Sequence, residues 1–208
     1  MAIAIQEPDF TPKKIPAQQR SRETFEALVE ACTRLLPEHG YAGTTTNHIA
    51  ERAGVGIASL YEYFPGKDAI VAQAAERLVQ RVLAHLSEGA PAIQHAPAED
   101  AFRRWIELVY ATVEREKRLV AVFLYQIPYT NRLEPIRAIS ATLLEFSQQV
   151  RRRAGGLVRE DLSDATLHLV INLVTSTIMQ LLLDPPAGVT QRELLDELIV
   201  RVEAWMRG

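Results

Sequence analysis

One short pattern near the N-terminus constrains the fold more than any other part of the chain. Residues 46–53 and residues 57–64 each carry apolar side chains at helical spacing. Between them lies Gly54-Val55-Gly56, which predicts a tight turn. Thr45 precedes the first segment and predicts its N-cap, because its hydroxyl can accept a hydrogen bond from the exposed amides of the first turn. The segment 44–64 therefore has helix-turn-helix spacing.

The rest of the chain also shows helical periodicity, and no stretch shows the alternation of a strand. A stripe that begins near Ala17 predicts a first helix, and Gly40 predicts its end, since glycine adopts the left-handed cap at no steric cost. The fold class is therefore all-α, with about nine helices. Further helices are expected over residues 67–86, 98–115, 118–127, 133–154, 163–183 and 191–206, with a loop over 88–97.

The bulk properties limit the protein class without defining a function. The 208 residues carry a formal net charge of −3, so any DNA binding must come from local features. The single cysteine, Cys32, excludes an intrachain disulfide and fits a reducing compartment. No charged leader with an apolar stretch opens the sequence, so a cytoplasmic location is expected. The longest apolar region, 167–183, contains six polar residues, which favours a buried helix over a membrane span.

The sequence offers no support for catalysis. Its five histidines show no metal-ligand spacing, and it has neither a nucleophile motif nor a phosphate loop. His48, in the predicted second helix, is expected to pack or to contact a phosphate rather than to bind a metal. We therefore expect no metal, no cofactor and no enzymatic activity.

The detailed string around the helix-turn-helix is more specific than its spacing. It contains Gly40-Tyr41, Thr44-Thr45, Ile49-Ala50, Ala53-Gly54-Val55, Leu60-Tyr61, Tyr63-Phe64 and Lys67. This string, over about residues 20–80, closely resembles the N-terminal domain of the TetR (tetracycline-repressor-like, TetR/AcrR) family of bacterial regulators. Beyond it, only length and helix pattern are similar. The resemblance implies a three-helix DNA-binding domain, joined by a long helix 4 to a C-terminal helical domain for ligand binding and dimerisation.

The resemblance also implies which side chains contact DNA. The exposed face of the second short helix would lie in the major groove, whereas Leu60 and Phe64 would be core. Phosphates would be contacted by the start of helix 2 and by the start of helix 4, where the helix N-terminus itself favours an anion. The groove-facing residues would be Ile57, Ala58, Ser59 and Tyr61, and the phosphate-contacting residues Thr45, Asn47 and Lys67.

Three positions depart from the usual pattern of that family. Gly56 stands where the family often has a capping serine, Ile57 where it often has a basic or polar residue, and Glu62 where it often has a phosphate contact. The helix also lacks an arginine or lysine that could read a guanine edge. We therefore expect base readout through Ser59 and Tyr61, with apolar contacts from the helix start to thymine methyl groups.

The N-terminal segment has two interpretations. Residues 1–16 lack helical periodicity and contain three prolines, which predicts a flexible arm. Residues 11–22 hold four basic side chains and no acidic one. The arm could follow a phosphate backbone or enter a minor groove, or it could be a solvated basic tail without a role.

The last two predicted helices carry long apolar stripes, which predict a dimer interface. One helix-turn-helix contacts too few base pairs to select a site, so two copies would bind half-sites about one DNA turn apart. The residues expected in the interface are Leu167, Ile171, Val174, Ile178, Leu195, Ile199 and Val202.

A polar strip on one of these helices has two interpretations. His168, Asn172 and Ser176 recur at spacing four, and could line a ligand cavity or make satisfied hydrogen bonds in a core or dimer interface. The other possible cavity walls, each of which could instead be plain core, are Trp105, Val109, Thr112, Phe123, Tyr125, Gln126 and Tyr129. The resemblance implies that a small, apolar effector binds in the C-terminal domain and releases the DNA.

Together these patterns predict a flexible arm over 1–16, a DNA-binding domain over 17–80, and an effector-binding and dimerisation domain over 81–208. We expect a homodimer that binds a double-stranded DNA operator and represses transcription until a small-molecule effector releases it. The alternative is a dimeric DNA-binding module controlled by a protein partner, without a small-molecule pocket. An enzyme in the C-terminal helices is the third and weakest hypothesis.

Overall fold

A computed structural model of the chain describes residues 8–154 and 163–207, and all regular structure in those ranges is helical. This confirms the all-α class. Two 3-10 turns, Ala98–Asp100 and Thr130–Arg132, accompany the α-helices. The α-helices of the described ranges are α1 (Gln19–Gly43), α2 (Thr46–Ala53), α3 (Ile57–Tyr63), α4 (Lys67–Gln94), α5 (Ala101–Tyr125), α6 (Glu134–Ala154), α7 (Asp164–Leu183) and α8 (Gln191–Arg207).

The chain divides into two compact units that are not continuous in sequence. The first unit contains the chain up to Val79 together with Arg118–Arg137. The second contains Gln80–Lys117 and the chain from Ala138 onward. Where the sequence predicts a single boundary near residue 80, the structure thus places a later segment with the N-terminal helices.

The first unit is built on one apolar face of α1. Phe25, Leu28, Cys32 and Leu36 recur at three- and four-residue spacing, and all four side chains are buried. Burial raises the pKa of the Cys32 thiol to about 12, which makes it a packing group rather than a nucleophile. The regular helix breaks at Gly40, whose φ of 71° lies in the positive range that favours glycine, although its ψ of 174° differs from the left-handed cap that the sequence predicts there.

Helix α4 is longer than the sequence predicts. The expected loop over 88–97 is wrong for most of its length, because the helix continues to Gln94 through Gly89 and Pro91. Gly89 is a packing residue here, since a Cβ at that position would collide with the side chain of Leu108 in α5. A glycine that permits close helix approach and a glycine that ends a helix look the same in a single sequence.

Helix α5 replaces two predicted helices, so the described ranges contain eight α-helices where about nine are predicted. The break expected between 98–115 and 118–127 does not occur, because the intervening residues are good helix formers without glycine or proline. Within the second unit, Arg81 of α4 and Glu116 of α5 form a paired salt bridge of 2.7 and 2.8 Å. These charged residues thus hold two helices together instead of marking a turn.

The second unit has its core between α5, α7 and α8. A capping box begins α8, as predicted: the Thr190 N–H donates to Glu193 Oε2 at 2.8 Å, and the Glu193 N–H donates to Thr190 Oγ1 at 3.2 Å. Helix α7 is long and apolar enough to cross a membrane by length and composition alone. Seven of its apolar side chains are buried in this core: Leu167, Val170, Ile171, Val174, Ile178, Leu181 and Leu182.

Replacing Gly40 by alanine tests the break in α1. The positive φ of Gly40 disfavours any side chain, and the new Cβ would lie 2.5 Å from Gln126 Oε1, which accepts the hydrogen bond of the Tyr41 N–H. We expect the free energy of unfolding, measured by chemical denaturation, to fall by about 1–2 kcal/mol. Gly66→Ala is the control, because nothing lies within 4 Å of an added Cβ at Gly66. Equal losses in both variants would contradict the account.

Candidate nucleic-acid interface

Helices α2 and α3 are joined by the turn that the sequence predicts. Thr45 is the N-cap of α2, and its Oγ1 accepts a hydrogen bond from the His48 N–H at 3.2 Å. Gly54 ends α2 in the left-handed conformation, with φ 70° and ψ 28°. The Val55 N–H then donates to the Ala50 carbonyl at 3.0 Å. This short reversal places α3 directly after α2 at the surface of the first unit.

The inner side of α3 is fixed by aromatic and aliphatic packing. Leu60 and Phe64 are fully buried, and Tyr63 is nearly so. The Phe64 ring stacks on the Phe25 ring of α1, with centroids 4.7 Å apart. The Tyr63 ring contacts the Phe25 ring edge-on, with centroids 6.0 Å apart. Because these side chains hold one side of the helix, the opposite side must face away from the protein.

The outer side of α3 carries the residues expected to read DNA. Ile57 is 39% exposed and Tyr61 is 44% exposed. Ala58 is also exposed, and Ser59 is half-buried. Glu62 is exposed on the same short helix, so its carboxylate is open to solvent. The helix therefore presents methyl, hydroxyl and phenol groups outward, together with one negative charge.

The first turn of α2 lies beside this face. The Tyr61 hydroxyl is 3.3 Å from Thr46 Oγ1, which links the exposed part of α3 to the start of α2. Thr45 and Asn47 flank Thr46, and both are exposed. The residues predicted for base contact and those predicted for phosphate contact in α2 are thus brought together on one surface.

Lys67 begins α4, but its side chain is turned toward the protein. Its Nζ donates to the Tyr41 carbonyl at 2.9 Å and lies 3.8 Å from the centre of the Tyr41 ring. Burial lowers the pKa of the Lys67 ammonium, against the opposing influence of Asp68. The lysine therefore stabilises the last residues of α1, and a phosphate contact by its ammonium would require it to leave Tyr41.

A hydrogen-bonded cluster behind the helix-turn-helix was not identified from the sequence. Asp68 Oδ1 accepts from the Tyr41 hydroxyl at 2.7 Å and from the Tyr129 hydroxyl at 2.6 Å. Burial and the Asp68 carboxylate hold the pKa of Tyr129 well above its usual value. Gln126 also belongs here, since its Oε1 accepts from the Tyr41 N–H at 3.0 Å. Tyr129 is 61 residues from Asp68, so no local pattern could have paired them.

Several basic side chains of the first unit are paired with carboxylates. Arg52 of α2 makes a two-pronged contact with Glu38, and its shorter bond measures 2.7 Å. The Arg52 guanidinium holds the pKa of the Glu38 carboxyl below its usual range. Arg77 bridges Glu26 and Glu30 of α1. These pairings reduce the positive field that a phosphate backbone would meet.

The residues predicted to line an effector cavity fall into three groups. Trp105, Val109 and Thr112 are buried in the second unit. His168, Asn172 and Ser176 are exposed on the surface of α7. The remaining four, Phe123, Tyr125, Gln126 and Tyr129, belong to the first unit. The polar strip on α7 is thus open to solvent in the single chain.

The residues predicted for the dimer interface all lie in the interior of the second unit. They are Leu167, Ile171, Val174, Ile178, Leu195, Ile199 and Val202, and each is buried by the chain's own helices. The same helices also carry exposed apolar residues, which are Leu169 and Leu173 on α7 and Val200 and Trp205 on α8. A dimer interface on the surface of α7 and α8 would therefore use these exposed residues, and not the buried residues that sequence periodicity predicts.

Comparison with known proteins gives one family match and several distant relatives. Residues 28–74, which include α2 and α3, match the family of bacterial regulatory proteins called the tetR family. An uncharacterized HTH-type transcriptional regulator of Bacillus subtilis (strain 168), YuxN, is 21% identical over 194 residues. That alignment covers 90% of this chain and 64% of YuxN, so the chain spans less than two thirds of this relative.

Solved structures share the fold over nearly the whole chain. The fatty acid degradation regulator FadR from Bacillus halodurans superposes with a TM-score of 0.62 at 16% identity, covering 93% of this chain and 97% of FadR. A TetR/AcrR-family transcriptional regulator from Thermobifida fusca YX-ER1 gives 0.61 at 18% identity, covering 88% and 98%. The match to the tetR family of bacterial regulatory proteins thus lies on the helix-turn-helix itself, and the fold of the chain is similar to that of solved TetR/AcrR-family regulators.

Proposed function

We propose that this protein is a DNA-binding transcriptional repressor that binds its operator as a homodimer and is released by a small-molecule effector. The observation that carries the DNA-binding part is the outward face of α3. Ile57 and Tyr61 are large, exposed and held in place by a buried opposite side. A soluble domain gains nothing from a rigid apolar face unless a partner covers it, and the major groove admits one helix.

The chemistry of this face predicts how DNA would be read. The methyl groups of Ile57 and Ala58 suit contact with thymine methyls, and the hydroxyls of Ser59 and Tyr61 can donate to or accept from base edges or phosphates. Thr45 and Asn47 are exposed beside them and are proposed to bind phosphate oxygens. Lys67 is proposed to add a phosphate contact once DNA draws its ammonium from Tyr41. With so few cations, shape and apolar contact would carry much of the specificity.

The proposed dimer would form through the exposed side of α7 and α8. Leu169 and Leu173 lie four residues apart on α7 and therefore share one face, and Val200 and Trp205 are exposed on α8. The buried residues of both helices hold them together within each chain. His168 and Asn172 lie next to the two leucines in sequence and could make polar contacts at the rim of such an interface.

The proposed effector site is centred on Trp105 in the second unit. Its indole N–H is buried and has no hydrogen-bond partner in the described part of the chain. A buried donor without an acceptor costs stability, so a ligand oxygen that accepts this bond would be favoured. Val109 lies one turn further along α5 and is apolar, whereas the hydroxyl of Thr112 is already bonded to the Leu108 carbonyl at 2.7 Å. The expected effector is thus a small apolar molecule with one acceptor group.

Release would follow from linkage between the two sites. If DNA-bound protein binds the effector more weakly than free protein does, effector-bound protein must bind the operator more weakly than free protein does. Thermodynamic linkage makes the two affinity ratios equal. Helix α4 contributes to both units, so it is the proposed route between the effector site and the helix-turn-helix.

Tyr61→Ala tests the reading face. Loss of a ring that contacts bases should weaken binding to a selected operator about tenfold or more, with the helical signal unchanged. Tyr125→Ala is a matched control, because Tyr125 is 65% exposed on α5, outside the helix-turn-helix. Electrophoretic mobility shift or fluorescence anisotropy gives the affinity. If both variants bind like the unaltered protein, α3 does not read DNA through this face.

Leu173→Glu tests the proposed dimer. A carboxylate on a face that packs against a second copy should dissociate the dimer and abolish operator binding, while each chain stays folded. Leu124→Glu is the same substitution at a leucine of α5 with comparable exposure, 48% against 43% for Leu173. Sedimentation velocity measures the mass. A dimer that survives Leu173→Glu, or a chain that is monomeric without it, would overturn this interface.

Trp105→Phe tests the effector site. Phenylalanine keeps most of the ring but removes the N–H, so compounds found by thermal shift should bind roughly tenfold more weakly if they accept that hydrogen bond. Trp205→Phe is the control for ligand affinity alone, because Trp205 is exposed on α8, on the surface proposed for the dimer and outside the buried effector site. The hits should also lower operator affinity of the unaltered protein. A screen without hits would count against an effector and favour control by a protein partner.

A further inference from the structure

The N-terminal residues before α1 are bound to the end of the proposed recognition helix. The backbone N–H of Lys13 donates to the Tyr63 carbonyl at 2.7 Å. The Nζ of the same residue donates to the Tyr61 carbonyl at 3.1 Å. Lys13 therefore binds two carbonyls in the last turn of α3. We name residues 8–16 the N-terminal strap.

A seven-residue helix needs such a partner at its C-terminus. Its last carbonyls have no amides of a following turn to accept from, and the helix dipole places negative charge there. The Phe64 N–H donates to the Leu60 carbonyl at 3.0 Å, which leaves the later carbonyls to other donors. A cationic ammonium and a backbone N–H suit this position, and Lys13 supplies both.

The strap is anchored on both sides of Lys13. On one side, the centres of the Phe10 and Tyr129 rings are 4.8 Å apart. The Arg132 guanidinium lies 5.5 Å from the centre of the Phe10 ring. On the other side, Pro16 is buried and its carbonyl accepts from Arg22 Nε at 3.3 Å. These contacts keep the strap close to α3, which strengthens bonds that would be weak for an isolated exposed lysine.

The neighbouring lysine gives an internal comparison. Lys14 is exposed, and it makes no hydrogen bond or ion pair within residues 8–154 and 163–207. Two adjacent lysines with the same charge thus differ in one respect: only Lys13 contacts α3. A general electrostatic role would involve both residues, whereas a role through α3 would involve Lys13 alone.

We infer that Lys13 is a positioning residue for base readout, which holds the C-terminal turn of α3 so that the Tyr61 side chain keeps one outward orientation. This inference rests on the proposed DNA-binding function. Tyr61 is the residue through which it acts, because its carbonyl binds Lys13 while its side chain faces outward beside Thr46. The strap would then contribute to specificity without contacting a base.

The test compares Lys13→Met, Lys13→Arg and Lys14→Met. Affinity for a selected operator and for an unrelated duplex is measured at several salt concentrations. Lys13→Met should lower operator affinity about tenfold and reduce the ratio of operator to unrelated binding, with the salt slope unchanged. Lys13→Arg should restore the ratio, because a guanidinium can donate to the same carbonyl, and Lys14→Met should leave it unchanged.

Two results would overturn the inference. Lys13→Met could flatten the salt slope by about one and weaken all duplexes equally, which is the behaviour of a phosphate contact. Alternatively, Lys13→Met could match the unaltered protein. Phe10→Ala gives a second variant without a change of charge, since it removes the Tyr129 contact, and it should shift the ratio in the same direction as Lys13→Met.

Hydrogen exchange separates this inference from the proposed function. In the free protein, Lys13→Met should speed exchange of the α3 amides relative to Lys14→Met. Faster exchange in a protein that binds no duplex would refute the DNA-binding proposal and leave the contact between strap and helix intact. Unchanged exchange together with normal operator binding would refute the positioning role and leave DNA binding intact.

Discussion

The packing of α3 against α1 is the constraint on which the proposed interface depends. A helix of seven residues is too short to be stable alone in water, so its orientation comes from its contacts. Leu60, Tyr63 and Phe64 are buried, and Phe25 of α1 stacks on the last of them. With that side held, Ile57 and Tyr61 have no position other than the surface. The reading face is therefore a consequence of where the aromatic residues of two helices meet.

Polar contacts complete the support that apolar packing begins. Asp68 binds the hydroxyls of Tyr41 and Tyr129, and Lys67 binds the Tyr41 carbonyl, so the segment before α2 is held from two sides. Lys13 holds the end of α3 in a similar way, because its ammonium donates to the Tyr61 carbonyl. Lys67 and Lys13 therefore both stabilise the domain through contacts with its own carbonyl groups. We therefore expect weaker salt dependence than for a domain with a basic surface.

The local features of the fold could be predicted from the sequence, because they depend on neighbouring residues. Gly54 adopts the left-handed conformation that ends α2, Gly40 breaks the regular part of α1 with a positive φ, and Thr45 caps α2. The inward side of α3 followed from the spacing of Leu60 and Phe64. Patterns at spacings of three and four residues contain this information directly.

The errors and omissions share a different cause, which is contact between residues distant in sequence. Gly89 looked like a helix end because its partner, Leu108, is on another helix. Asp68 and Tyr129 lie too far apart for any pattern to join them, and the same holds for Lys13 and Tyr61. Periodicity also finds the apolar stripe of α7 without showing whether its own chain or a second copy covers it. In the structure, its own chain does so.

Hydroxyl-radical footprinting on genomic fragments selected by the full-length protein tests the central claim most directly. That claim is that two copies of α3 enter successive major grooves of one duplex. We predict two protected segments on the same face of the DNA, centred about 10 base pairs apart or a multiple of that distance. No enrichment of any fragment over bulk DNA, or protection of a single segment by one copy, would contradict it.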